Sequence, residues 1–264
     1  MKRYFKLYFT YAKLSLMSKF TYKANVIVGS LAFLVTEIVS LLTLFLLLRT
    51  VPTIEGYTLY QVGLLFGISN IAVGFDHLLS DRLWTIAYHE VKRGKVDHIF
   101  LRPVPVLFQV LASEIQLEAI GEIITGIGLI ILCACNIEVT VTFGGVFLLI
   151  VGIICAAFLL TSLKIITSGS AFYFKTSGPM LQFVYNLARY ARYPIKIYPH
   201  FIRYILLFVL PLGLATFMPF ENLFNPVYNP YLLALFIFAV TAIFFVASIF
   251  IWKAFEKKYE STGS

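Results

Sequence analysis

Residues 25–48 read NVIVGSLAFLVTEIVSLLTLFLLL, an apolar run interrupted by a single carboxylate, Glu37. About 20 such residues are enough for an α-helix to cross the hydrocarbon core of a bilayer, so this stretch predicts a transmembrane helix. Working outward, similar stretches follow at Thr58–Leu79, Val106–Cys135, Phe143–Ile166 and Pro230–Trp252. The composition agrees: 60% of the 264 residues are hydrophobic and 13% are charged. Soluble domains carry about 25% charged residues to wet their surface. A chain with so little charge needs lipid as its solvent, and the fold class is an all-α polytopic membrane protein. Its length accommodates a single membrane domain, 1–264, and leaves no room for a large soluble one.

The net charge of +8 does not indicate nucleic acid, because the basic residues sit in loops beside the apolar runs. Lys2, Arg3, Lys6, Lys13, Lys19 and Lys23 precede the first span. Arg82, Lys92, Arg93, Lys95 and Arg102 lie in the loop 80–105, and Lys253, Lys257 and Lys258 follow the last span. The loops 49–57, broken at Pro52 and Gly56, and 136–142 hold only Arg49. Positive charge marks the cytoplasmic side. Both termini and the 80–105 loop are therefore expected inside, which requires an even number of spans; six fits. Lys2, Lys6 and Lys13 share a narrow helical arc with Tyr4, Phe5, Leu7, Tyr8, Tyr11 and Leu14 around the rest. Residues 1–23 read as an interfacial helix on the cytoplasmic leaflet. No cleavable signal peptide is evident, so the first span reads as a retained helix. Two assignments of span five stay open. Charge counting favours 202–220. The other option is about 176–194, with 199–222 a pair of short helices broken at Pro211 and dipping back into the outer leaflet.

Chemistry-bearing motifs are missing. The Gly94-Lys95 pair lacks the upstream glycine and the following Ser/Thr of a phosphate-binding loop, and there is no G-x-S-x-G or H-E-x-x-H. The chain does not read as an enzyme. Cys133, Cys135 and Cys155 lie in apolar runs without ligand spacing and read as small apolar fillers. His77 with Asp76 reads as a polar pair at a helix end. Gly63, Gly67 and Gly74 share one face of span two and allow close approach of another helix. Glu114, Glu118 and Glu122 recur at four-residue spacing, which would place them on one face of span three, with Glu37 midway along span one. Carboxylates in lipid are costly and turn toward protein or water. They read as a polar translocation path or proton relay. The alternatives are pairing with Arg189, Arg192 or another subunit's cations, or residues 106–118 lying in the cytoplasmic interface with the span starting later.

Four features together resemble a known family. They are the basic N-terminal helix; the polar loop ending Ile99-Phe100-Leu101-Arg102-Pro103-Val104-Pro105; the sequence Arg192-Tyr193-Pro194-Ile195-Lys196-Ile197-Tyr198-Pro199 with Leu210-Pro211 and Met218-Pro219 beyond it; and the last span with its short basic tail. In order and spacing the chain resembles the six-span permease subunits of bacterial type-2 ABC exporters. The resemblance implies a permease in the bacterial cytoplasmic membrane, paired with a second, identical or related permease. Two separate ATPase subunits would carry ATP and Mg²⁺, and no cofactor would sit in this chain. It also implies that the loop 80–105 couples to the ATPase, with Arg82, Trp84, Tyr88, His89, Glu90, Lys92, Arg93 and Gly94 as the candidate contact in a short helix ending near Gly94. Re-entrant helices between spans five and six, about 195–225, are implied as well. The cluster Lys175, Arg189, Arg192, Lys196 and Arg203 departs from an outward-facing segment. A proton-coupled secondary transporter using the glutamates, and a membrane scaffold without transport, are the rival readings.

Overall fold

A computed structural model describes residues 2–21, 23–50, 53–138 and 142–261. Residues 51 and 52, residues 139–141 of the 136–142 turn, and residues 1, 22 and 262–264 lie outside the described residues.

Helix α1 (Lys2–Thr21) is followed by α2 (Lys23–Thr50). A two-residue hairpin, β1 (Thr53–Ile54) against β2 (Tyr57–Thr58), then turns the chain. Its corner residues Glu55 and Gly56 both take positive φ, 51° and 84°, as the tightest hairpin turns require. Thr58 starts α3 (Leu59–Ser80) with a reciprocal cap: its Oγ1 accepts from the Gln61 amide, and Gln61 Oε1 accepts from the Thr58 amide. Helix α3 is buried almost all round from Val62 to Gly74, so it forms the middle of the bundle. It leads into α4 (Arg82–Thr85), a wider π turn over Ile86–Glu90, and a reversal at Gly94, whose φ is 66°. Helices α5 (Asp97–Phe100) and α6 (Val106–Ala112) complete this loop.

The expected third span, Val106–Cys135, is not continuous. Helix α6 stops at Ala112, and a 3₁₀ turn (Leu117–Ala119) leads into α7 (Ile120–Ala134). The break has a physical cause in residues 113–116, Ser-Glu-Ile-Gln. The Ile115 amide donates to Ser15 Oγ of α1 at 3.0 Å, and the Gln116 amide donates to the Leu78 carbonyl of α3 at 3.3 Å. These outside acceptors replace the in-helix bonds. The stretch long and apolar enough to span is Leu117–Ala134. Of the sequence alternatives, a late-starting span is the one this geometry matches.

Thr142 caps α8 (Phe143–Gly169) by accepting from the Gly145 amide at 3.1 Å. Helix α9 (Ala171–Phe174) closes on Lys175 at φ 65°. Helix α10 (Gly178–Ala188) continues as a 3₁₀ turn over Arg189–Arg192 and goes extended at Tyr193. Residues 178–196 run from one end of the bundle to the other. Gly178 lies under the Tyr88 ring, Tyr185 binds Asp76, Arg192 lies over Phe66, and Lys196 meets Glu221 beside the hairpin residue Tyr57. The 202–220 stretch is different: α11 (His200–Tyr204) with the turn Ile205–Val209, and α12 (Leu212–Ala215) with α13 (Phe217–Phe224), form a pair bent by 76° at Pro211. Ala215 and Pro219 sit against Gly152, Leu223 against Gly145, and Pro230 against Gly144. The pair therefore returns to the hairpin end, where α14 (Pro230–Glu256) begins, capped by Asn229.

Five helices are long and apolar enough to cross a membrane, or six if the bent pair is one span. The protein is an all-α polytopic membrane protein. The end opposite the hairpin is a platform of loops. Tyr4 of α1 packs edge-on to Phe108, Arg102 donates to the Tyr11 hydroxyl, and Lys19 pairs with Glu118 at 3.1 Å. The Ser177 amide donates to the Ala87 carbonyl at 2.9 Å. From the tail, Tyr259 and Ser261 donate to Asp97, and the Tyr259 ring stacks on Phe100.

Candidate functional site

The side chain that organises the interior is Lys164, fully buried in the apolar helix α8. Its Nζ lies 2.8 Å from Asp76 and 3.3 Å from Asp81. Asp76 is also fully buried, and it accepts from Ser80 at 2.7 Å, Thr161 at 2.8 Å and the Tyr185 hydroxyl at 2.9 Å. A buried charge is tolerated only when paired and hydrogen-bonded, and here α3, α8 and α10 supply the partners of Asp76. The Tyr185 hydroxyl also lies 2.8 Å from His77 Nε2, and His77 Nδ1 lies 2.8 Å from Glu122. Asp76, Tyr185, His77 and Glu122 thus form one continuous line of hydrogen bonds across α3, α10 and α7. The Asp76–His77 pair belongs to this network and does not close on itself.

Beside the network, α2 and α10 bound two adjoining cavities of about 370 and 540 Å³. The first is lined by Glu37, His77, Trp84, Glu122 and Gln182, and the second by Ser40, Phe66, Tyr190 and Tyr193. Asn186, Arg189 and Arg192 line both. Glu37 is held by Asn70 Nδ2 at 2.6 Å.

The glutamate series is corrected accordingly. Glu114 stands in the break between α6 and α7, Glu118 in the 3₁₀ turn and Glu122 in the first turn of α7. They do not share a helix face, because the helix is broken at 113–116. Glu122 and Glu37 reach the cleft. Glu118 is spent on Lys19 of α1. Glu114 is carried by the platform, where burial pushes its carboxyl above the ordinary value. None of them forms an ion pair with Arg189 or Arg192 among the described residues.

Gly63, Gly67 and Gly74 face α7. A Cβ on Gly67 would stand 2.9 Å from the Gly126 carbonyl, one on Gly74 2.6 Å from Ile123, and one on Gly63 2.7 Å from Cys133 Sγ.

The 80–105 loop residues divide into two sets. Arg82 bonds Ser113 and pairs with Glu90 at 3.1 Å. Trp84 stacks on Tyr88 and meets Tyr185 edge-on; Tyr88 covers Gly178; Gly94 is buried. These five hold the loop to the bundle. His89, Lys92 and Arg93 are exposed, as is Lys95, and form its outward face.

Lys164 and Tyr185 were not singled out from the sequence. A lone lysine within a 27-residue apolar helix is the signal that finds the first, since such a charge demands a partner. Nothing in the apolar stretch 178–188 marks Tyr185.

A family model described as ABC-2 family transporter protein matches residues 33–263. The chain belongs to the ABC-2 transporter family. Comparisons with curated proteins and with solved structures found no match. The match covers α3 to α14 and most of α2, so the cleft and the 80–105 loop both lie within the family's membrane domain. An ABC-2 membrane protein is a transport subunit, and proteins of this family work with ABC ATPase partners.

Proposed function

We propose that the chain is the permease subunit of an ATP-driven exporter of the bacterial cytoplasmic membrane. Both termini would lie in the cytoplasm, and ATP with Mg²⁺ would be bound by two copies of a separate ATPase. The carrying observation is the outward face of His89, Lys92, Arg93 and Lys95 on a loop bonded to every part of the platform. A push on that face reaches α3 through α4, α10 through Ala87–Ser177, α6 through Arg82–Ser113, and the tail through Asp97. The ATPase supplies free energy, and the permease supplies a lever and a path.

In this reading residues 178–197 are the fifth crossing, and 200–224 re-enter from the outer side. Irregular backbone at that depth is tolerable because it packs on α8. A second permease, identical or related, covers the cleft. Gln182 and Asn186 of α10 and Arg189 of the turn after it form an exposed polar row, and an arginine facing lipid at mid-depth costs a few kcal/mol. The path then lies between the two copies, lined by Glu37, Glu122 and Arg192.

The test is co-purification with the ATPase from gently solubilised membranes. Wild type is expected to retain an ATPase and Arg93→Glu to lose it at unchanged Tm. A wild-type chain that never holds an ATPase overturns the proposal. The line Asp76–Tyr185–His77–Glu122 favours one second reading, proton-coupled transport. That reading requires uptake or efflux driven by a pH gradient without ATP and abolished by Glu122→Gln.

A further inference from the structure

Arg192 is 93% buried as the complement of its 7% exposure, yet among the described residues its guanidinium makes no hydrogen bond or ion pair. Its Nε is buried without a partner, and the cation lies over the Phe66 ring at 5.3 Å. The carboxylates around it offset its charge through space without bonding it, since their oxygens meet other groups, Glu37 Asn70 and Glu122 His77. Arg189 lines the same two cavities with its charge equally unpaired among the described residues. An arginine presents planar donors matched to carboxylate and phosphate oxygens, and leaving them unmet in a buried site is costly. Above this pair the cleft wall turns aromatic, with Phe66, Tyr190 and Tyr193.

We propose that Arg192 and Arg189 form an oxyanion-binding site in the cleft, which takes the carboxylate or phosphate of an amphiphile whose apolar part lies along Phe66, Tyr190 and Tyr193. The inference rests on the permease reading for its biological meaning, since the amphiphile would be the cargo or a lipid headgroup of the surrounding bilayer. Binding itself is measured on the chain alone, so its failure leaves the ATPase partnership standing, and loss of that partnership leaves the site standing.

The probe is dodecyl phosphate, titrated into the full chain in phosphatidylcholine nanodiscs. Trp84 fluorescence is the readout, because this ring lines the cleft while the other tryptophan, Trp252, is fully buried elsewhere. Saturable binding is expected for dodecyl phosphate and for dodecanoate, and none for dodecyltrimethylammonium. Arg192→Gln is expected to weaken the anions tenfold or more, and Arg192→Lys to keep part of the affinity. Should Arg192→Gln fail to fold because Glu37 loses a neighbouring cation, Glu37→Gln/Arg192→Gln restores neutrality, and it is expected to fold and not bind. Nanodiscs containing phosphatidylglycerol separate the two sources. Suppressed binding assigns the site to lipid, and undiminished binding assigns it to cargo. Equal binding of the cation, or full anion affinity in the double variant, overturns the proposal.

Discussion

Lys164 shows what a single residue carries in this fold. Removing one member of a buried pair strands the other, at a cost of about 3–5 kcal/mol. Lys164→Met is expected to lower stability by that order, since Asp76 then keeps a charge with only neutral donors. Adding Asp76→Asn is expected to return most of it, and thermal unfolding in detergent reads both. Glycines provide a second residue-level prediction. Gly67→Val puts side-chain atoms where the Gly126 carbonyl already sits at 2.9 Å from the would-be Cβ. It is expected to cost about 1–3 kcal/mol by forcing α3 and α7 apart. A Cβ on Gly121 meets nothing within 4 Å, and Gly121→Ala is expected to be neutral or slightly stabilising through helix propensity.

Among elements, the loop 80–105 separates anchoring from contact. Arg93→Glu is expected to change ATPase association and leave Tm untouched, because its side chain is exposed. Glu90→Gln is expected to lower Tm as well, because it breaks the bridge to Arg82. Parallel pull-down and unfolding measurements distinguish them. The elements also differ in how legible they were in the sequence. Spans α2, α3, α8 and α14 follow from apolar length, because lipid leaves an apolar helix no other stable state. The third span breaks where Ile115 and Gln116 trade helix bonds for acceptors on α1 and α3, Ser15 and Leu78, which no local pattern records. The stretch 178–196 is ambiguous for the same reason. Its 11-residue helix α10, at about 1.5 Å per residue, reaches only about half the bilayer core, and the rest is 3₁₀ and extended chain held by Phe66, Tyr57 and Glu221. The polar cleft was half visible. Glu37 and Glu122 stand out as charges in apolar runs, while Arg192 reads as one of a basic cluster or a partner for the glutamates, and its seat over Phe66 beside the cavities is visible only in the fold.

At the scale of the whole molecule, the platform ties α1 and the tail up to Ser261 to the 80–105 loop. Asp97→Asn weakens the bonds from Tyr259 and Ser261, and it is expected to speed tryptic cleavage after Lys257 and Lys258. Hydrogen bonds from Tyr259, then Ser261, hold the Asp97 carboxyl below its ordinary value. A carboxyl depressed in the folded state stabilises above its unfolded pKa and loses that effect only as pH falls through the lowered value. Tail protection is therefore expected to stay constant from about pH 5 to 8 and to fail only in stronger acid.

The bond between Lys19 and Glu118 joins residues 99 positions apart. During synthesis α1 leaves the ribosome long before its partners on 115–118 exist. At about 5–20 residues per second, it waits several seconds or more for them, with Phe5, Phe9, Leu14, Met17 and Phe20 exposed, as they stay in the finished fold. Helix α1 is thus made before its partners and seated late. Fusions or tags placed before it are expected to impair the last stage of assembly and leave insertion of the first span unaffected.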